Sequence, residues 1–339
     1  MGPDDFAYHL PDPAIAQVPL ADRPSARLLD ALAEPVVHRT VGDLPLLVGP
    51  GDVLVVNDTR VLPARLRAAR PTGGAAEVLL LRAVDDEGTW EALVRPSRKL
   101  PPGSTLTVDP GLAVEVADDL GEGRRYVRLS SDGPLSDALD RCGEMPVPPY
   151  LTTTLDDPER YQTVYSRRPA SAAAPTAGLH LTDGVLKACR SAGARVEHLE
   201  LVVGLDTFRP ITADDLDDHR MHCEDYEVPP ATLEACRDAR RVIAVGTTTV
   251  RALESAARYG LDGRTDLFIR PGFGFSVVDV LLTNFHLPRS SLLVLLEAFA
   301  GPRWRDLYAT ALDEGYRFLS FGDAMLVGRA DAKWEEISR

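Results

Sequence analysis

The sequence predicts an α/β fold, a layered main domain of the α+β kind interrupted by an inserted all-β, barrel-like domain. Three observations predict it. First, four apolar, β-branched runs, DVLVVND (52–58), VEHLELVVG (196–204), RVIAVGTT (241–248) and SVVDVLLTN (276–284), suit strands covered on both faces. Second, helical stretches interleave with them. LTDGVLKACRSAG (181–193) opens with Thr182 as N-cap and closes at Gly193, TVRALESAARYG (249–260) stops at Gly260, and a serine-capped helix follows Pro288. Third, the texture changes between residues 62 and 148. There AEVLLLRA, TWEALVRPS, STLTVD, LAVEVAD and RRYVRLS are separated by the turn signals DDEG, PPG, DPG and GEG, the rhythm of a small antiparallel barrel or sandwich.

A chain of 339 residues exceeds the usual single core. The expected division is a discontinuous α/β catalytic domain, 1–61 with 149–339, and a β-barrel insert at 62–148. The net charge of −14 discourages indiscriminate phosphate binding, yet residues 60–128 hold 11 basic against 10 acidic side chains, so the insert is the one sizeable stretch that is not strongly acidic. No apolar run reaches the roughly 18 residues of a membrane span. The opening MGPDDFAYHLPDP is acidic where a signal peptide would be basic, and Cys142, Cys189, Cys223 and Cys236 are spread too widely for paired C-x-x-C zinc ligands. Together these features lead to the expectation of a cytoplasmic protein with reduced thiols. The closing GRADAKWEEISR reads as a polar tail or a terminal helical turn.

Four stretches could carry chemistry. In RVIAVGTTTVRALESAA a buried strand runs into Gly246, and Thr247, Thr248 and Thr249 lead into a helix with Arg251 early in it; the N–H groups of such a start favour an anion. VVDVLLTNFHLPRSSLL ends a strand on Thr283, Asn284 and His286, where ligands bind in open α/β sheets. DHRMHCEDYEV gathers His219, His222, Glu224 and Asp225, a pattern better suited to general acid/base work than to zinc. In AAPTAGLHLT, Pro175 and Gly178 shape a turn that delivers His180 and Thr182 to a helix start, and its small residues let a ligand approach the backbone. Each has a structural alternative: satisfied loop backbone, a solvated acidic loop, or a core histidine. No dinucleotide fingerprint, Walker A sequence, nucleophile elbow or EF-hand loop is present.

Ten segments stand in order along nearly the whole chain: GDVLVVNDTRVLPARL (51–66), WEALVRPSRKLPPG (90–103), GEMPVPPYL (143–151), ERYQTVYS (159–166), AAPTAGLHLT (173–182), VGLDTFRPI (203–211), MHCEDYEVP (221–229), VIAVGTTTVRALES (242–255), VVDVLLTNFHLPRSSLL (277–293) and YRFLSFGDAML (316–326). Taken together they resemble the S-adenosylmethionine:tRNA ribosyltransferase-isomerase family of queuosine biosynthesis. Departures from the family pattern fall at Cys142, Leu181 and Asp206, where His, Phe and Gly are usual, and at RPGFGFS (270–276), which lacks a tyrosine and basic residues.

The resemblance implies an α/β domain with an inserted β-barrel, S-adenosylmethionine as co-substrate and ribosyl donor, tRNA as partner through its anticodon stem-loop, no metal and a monomer. It implies transfer of the ribosyl group to 7-aminomethyl-7-deazaguanine at the tRNA wobble position, with release of adenine and methionine. His180, His222 and His286 are then the acid/base candidates, because imidazole titrates near the operating pH, with Glu224 and Asp323 behind them. Asn57, Asp58, Arg60, Pro175, Thr176, Gly178, Gly246, Thr247, Thr248, Arg251, Thr283 and Asn284 are the expected substrate-binding residues. Arg65, Arg67, Arg95, Arg98 and Lys99 of the insert, together with Arg60, are the expected phosphate contacts. Two other readings fit the same residues: an enzyme cleaving S-adenosylmethionine with a small-molecule acceptor, and a tRNA- or nucleoside-binding protein without catalysis.

Overall fold

The structure is a computed structural model and describes residues 1–85, 87–204 and 210–331. Residues 205–209 of the VGLDTFRPI segment, Asp206 among them, and the tail from 332 lie outside the described residues. Two compact units emerge, one of Met1–Thr59, Pro149–Arg168 and Ala174–Arg339, the other of Arg60–Pro148 and Pro169–Ala173. The first unit begins with β1 (Arg27–Asp30), β2 (Val37–Thr40) and β3 (Asp52–Asn57). The second contains β4 (Arg60–Val61), β5 (Arg65–Ala69), β6 (Ala75–Ala83), β7 (Thr89–Arg95), β8 (Thr105–Asp109), β9 (Leu112–Gly121), β10 (Arg124–Ser131), helix α1 (Leu135–Cys142), β11 (Gly143–Glu144) and β12 (Pro169–Ser171). The first resumes with α2 (Asp183–Ser191), β13 (Arg195–Leu201), β14 (Glu224–Glu227), α3 (Pro230–Arg237), β15 (Arg241–Val245), α4 (Thr247–Tyr259), β16 (Asp262–Thr265), β17 (Val280–Asn284), α5 (Ser291–Ala300), α6 (Trp304–Asp313) and β18 (Ala324–Gly328).

The first unit is built on a nine-stranded sheet in the order β16-β14-β13-β3-β15-β17-β18-β1-β2. Its centre, β13-β3-β15-β17, is parallel, while β18 runs against β17. Strand β3 is buried throughout, as are β17 and, beyond Arg241, β15, so their unbroken apolar runs have the cover such runs require. The VEHLELVVG run differs: β13 buries Leu199 and Leu201 but leaves Glu197, His198 and Glu200 half-buried. One face of the sheet forms a core with α2, where Leu54, Val56, Ile243, Val245, Leu282 and Leu326 pack against Leu181, Val185 and Leu186. Thr182 caps α2 as its sequence signalled, accepting from Val185 N at 3.3 Å.

Strand β17 starts four residues later than SVVDVLLTN suggests. The N–H groups of Ser276, Val277 and Val278 donate instead to the buried carboxylate of Glu254 at 3.0–3.2 Å, so they cannot join a ladder.

In the second unit β5-β6-β7-β10-β9-β8 form an antiparallel ring that closes where Ala69 pairs with Thr107, making a barrel of the predicted kind, and β11 adds to β5. Alternation fills the interior: Val114, Val116, Val127 and Leu129 point in from β9 and β10. Residues 169–173 group with this unit rather than with the sheet, because β12 pairs in parallel with β4.

The four cysteines are free thiols. Among the described residues no helix is long and apolar enough to cross a membrane, and no cluster of three His, Cys, Asp or Glu side chains is placed to hold a metal ion.

Candidate active site

A cleft of about 590 Å³, counting its open mouth, lies in the first unit beyond the carboxyl ends of β15 and β17. Sheet topology explains the location, since loops leaving parallel strands diverge there. The β15 exit needs Gly246, whose φ of +91° suits glycine and sets Thr247 at the first turn of α4. Thr249 Oγ1 closes this turn by donating to Val245 O at 2.7 Å, which leaves Thr247 and Thr248 on the cleft wall. Pro175 and Thr176 form another wall, Thr283, Asn284 and His286 a third, and Val203, Leu287 and Leu292 supply apolar surface.

Asn284 is the hub. Its Nδ2 donates to His180 Nε2 at 3.0 Å and to Asp323 O at 3.3 Å, while its Oδ1 accepts from Thr176 Oγ1 at 2.9 Å. These bonds fix the amide orientation and require the neutral Nδ1–H tautomer of His180. Burial, then the Arg317 and Arg23 guanidiniums, bring His180 down to about 4. His286 shares a 3.0 Å hydrogen bond with Thr283 Oγ1 through Nε2, and burial brings it down to about 3. Both imidazoles are therefore neutral across the physiological range. Behind His286 lies an aromatic cluster of Tyr8, Phe285, Trp304, Tyr308 and Phe318. Tyr308 Oη accepts from His286 N at 2.9 Å and Tyr8 Oη donates to His286 O, so both main-chain polar groups of the histidine are held.

The expected residues do not all converge. Although His180 touches Asn284, it lines an adjoining recess rather than the cleft. Gly178 packs against Tyr165, not a ligand space: a Cβ there would lie 2.0 Å from the phenol oxygen. Asn57 stands behind the wall, donating to Leu201 O at 2.9 Å and Thr248 Oγ1 at 3.3 Å. Asp58 faces Arg167 at 3.2 Å and His198 at 3.7 Å, and burial raises it to about 6.

Arg251 and Glu224 correct the sequence reading most clearly. They form a buried ion pair, with Arg251 also donating to Leu267 O and Glu224 accepting from Gly204 N. The pair engages both charges, and neither residue lines the cleft; Arg251 lines a smaller recess that shares Thr247 and Thr248 with it. Asp323 is likewise structural: its two oxygens accept from Arg27 N at 2.9 Å and Arg317 N at 2.8 Å. His222 lies outside the cleft lining, on the stretch where half-buried His219 packs edge-on against Phe268.

Sequence reading missed Tyr150 and Ser320, which line the cleft and share a 2.6 Å hydrogen bond, and Leu319, whose φ of +70° is strained for a branched side chain. All three sit inside the quoted segments GEMPVPPYL and YRFLSFGDAML, but apolar neighbours gave them no chemical signature.

In the second unit, Arg65 pairs with Glu77 and Arg67 with Glu144. Arg60 lies in β4, opposite β12. Arg95, Arg98 and Lys99 are exposed and, among the described residues, make no ion pair.

Comparison with known proteins adds a common ancestry to this geometry. A profile of the family described as queuosine biosynthesis protein matches residues 3–327. A Rubrobacter xylanophilus protein named S-adenosylmethionine:tRNA ribosyltransferase-isomerase is 50% identical over 331 residues, 96% of this chain and 98% of that one. A Thermus thermophilus protein of the same name is 48% identical, covering 96% and 99%. The crystal structure of an S-adenosylmethionine tRNA ribosyltransferase from Thermotoga maritima, 34% identical, superposes with a TM-score of 0.53 over 95% of this chain and 99% of its own.

Proposed function

The chain belongs to the queuosine biosynthesis protein family, a family of tRNA-modifying enzymes, and from that premise we propose that it transfers and isomerises the ribosyl group of S-adenosylmethionine onto 7-aminomethyl-7-deazaguanine at the tRNA wobble position. The products are epoxyqueuosine-tRNA, adenine and methionine. The observation that carries this reading is the meeting of His286, Thr283 and Asn284 at one cleft, with His180 bonded to Asn284 from the adjoining recess, in a chain the family profile matches over residues 3–327.

The sulfonium of the donor acidifies the adjacent C5′ protons. Neutral His286 presents a ring nitrogen on the cleft wall, where it can accept a hydrogen bond from the donor. Burial that brings it down to about 3 makes it a weak base, so its part is to orient the donor, and it can take the C5′ proton only if the bound substrate raises its basicity. For the transfer to balance, the acceptor amine bonds to the ribosyl carbon and gives up a proton, the glycosidic bond to adenine breaks with a proton reaching the purine, and the bond to sulfur breaks so that methionine leaves as a neutral thioether. Thr247 and Thr248, with Arg251 withdrawn into its ion pair, offer neutral donors suited to ribose hydroxyls, and Val203, Leu287 and Leu292 give the purine apolar surface. Arg95, Arg98 and Lys99 are the cations left to meet RNA phosphate. On this reading the protein works in the cytoplasm as a monomer, without a metal.

The test is mass spectrometry of adenine and methionine release from S-adenosylmethionine with no acceptor, with the free deazaguanine base, and with tRNA carrying it. The expected result is release only with the modified tRNA, accompanied by a mass gain on the RNA. Equal release with the free base would instead point to a small-molecule acceptor.

A further inference from the structure

Three guanidinium groups, Arg23, Arg160 and Arg317, converge from separate segments on a recess of about 270 Å³ that also takes in His180 and Ser320. In a chain of net charge −14, such a meeting of cations is not background. Arg23 donates to the main-chain carbonyls of Glu159, Gln162 and Leu179 at 2.8–3.0 Å, and Arg160 donates to those of Leu20 and Ala21. These bonds are to neutral carbonyls and build both groups into the wall; the acidic groups that attract Arg23, Asp157 and Glu159, are exposed.

The unused donors point to a ligand. Arg160 Nε and Arg317 Nη2 are shielded from solvent and make no hydrogen bond. Asp323 Oδ1 stands 3.6 Å from Arg317 Nη2, and both oxygens of that carboxylate already accept main-chain N–H groups. After burial, Arg160 repels Arg23, while Arg317 and Arg23 repel a protonated His180. A bound anion would relieve that repulsion and satisfy the free N–H groups. The recess adjoins the cleft, since Ser320 lines both and His180 bonds Asn284 of the cleft wall.

We propose that this recess is an oxyanion subsite of the active site, with Arg317 as its principal donor, taking a carboxylate or phosphate group of a bound substrate. It rests on the proposed function for the identity of that substrate: the source is either the carboxylate of S-adenosylmethionine or a backbone phosphate of the tRNA.

Inorganic phosphate is the first probe. Thermal melting is compared in phosphate and chloride at matched ionic strength for the wild type, Arg317→Gln and the charge-keeping Arg317→Lys. Phosphate should raise the melting temperature of the wild type and Arg317→Lys more than that of Arg317→Gln; equal responses in all three overturn the subsite. Titration with S-adenosylmethionine, its decarboxylated analogue and an anticodon stem-loop RNA then separates the sources. With the carboxylate as occupant, Arg317→Gln weakens S-adenosylmethionine binding about tenfold or more and leaves the analogue unchanged. With a phosphate as occupant, RNA binding weakens and its salt slope falls by about 1, while the donor is unaffected. Unchanged affinity for all three overturns the subsite. A wild type that responds to phosphate yet never binds the sulfonium donor would count against the proposed function and leave the anion site standing.

Discussion

Asn284 at the end of β17 donates its side-chain amide to Nε2 of His180, 104 residues earlier, across 3.0 Å. The same side chain takes Thr176 and the main chain of Asp323, so three distant segments are registered by one amide. Asn284→Ala would leave a buried imidazole nitrogen unpaired and free the 176–180 turn. A fall in kcat of about 100-fold is expected, with a smaller change in KM, from lost positioning. Steady-state kinetics decide it: kcat within a factor of two of wild type would remove Asn284 from the positioning role.

Acid should destabilise the fold through its histidines. An unfolded histidine takes up a proton near 6.5, whereas His180 and His286 stay neutral down to about 4 and about 3. Below pH 6.5 the unfolded chain binds more protons, so stability is full above that pH and is lost as pH falls toward the folded values, by about 1.4 kcal/mol per pH unit for each group. Asp58 has the opposite sign, because burial raises it from 3.8 to about 6 and the folded state binds the extra proton between those values. Urea unfolding between pH 7 and 4 should therefore show a flatter decline for His286→Asn and a steeper one for Asp58→Asn.

The Arg251–Glu224 pair predicts a stability effect where a catalytic role would predict a kinetic one. Glu224→Gln leaves a guanidinium buried without its counter-charge, at a cost of about 3–5 kcal/mol, whereas Glu224→Leu combined with Arg251→Met should recover much of it. Denaturant midpoints of the single and double variants measure the difference. No loss of stability in Glu224→Gln would return this residue to the list of acid/base candidates.

Gly178 and Tyr165 should show coupling. A Cβ at position 178 would lie 2.0 Å from the Tyr165 phenol oxygen, which is itself buried without a hydrogen-bond partner. Tyr165→Phe alone is expected to be neutral or stabilising by about 1 kcal/mol, Gly178→Ala to cost about 1–3 kcal/mol, and the pair to recover part of that loss. Strict additivity in the double-mutant cycle would mean that the phenol oxygen is not what excludes a side chain.

On the insert, exposed Arg98 and Lys99 should carry more RNA affinity than Arg65 and Arg67, which face Glu77 and Glu144. Neutralising Arg98 and Lys99 together should reduce the salt slope of anticodon stem-loop binding by about 2, and neutralising Arg65 and Arg67 should change it less. Filter binding across a salt series tests the order, and equal slopes for both double variants would contradict it.

The sequence by itself determined the layers, the insert and the family. Fully apolar runs mark central strands, alternation marks a barrel wall, and Thr182 and Ser290 announce helix starts, because each signal is carried by residues a few positions apart. It also marked Thr283, Asn284 and His286 as a cluster at the end of a buried strand, where ligands bind in open α/β sheets, with satisfaction of loop backbone as the alternative. What the tertiary structure alone decided is which charged and polar groups remain available. Arg251 and Glu224 look as reactive as His286 in one dimension, yet they neutralise each other through a contact 27 residues apart, and Asp323 spends both oxygens on main-chain N–H groups, one of them nearly 300 residues away. Arg23, Arg160 and Arg317 carry no shared motif, yet the fold gathers them around one recess. Local patterning marks which segments become strands and helices because the period of buried side chains is set by near neighbours; which strands pair, and what chemistry a side chain keeps, depend on partners that folding brings from elsewhere in the chain.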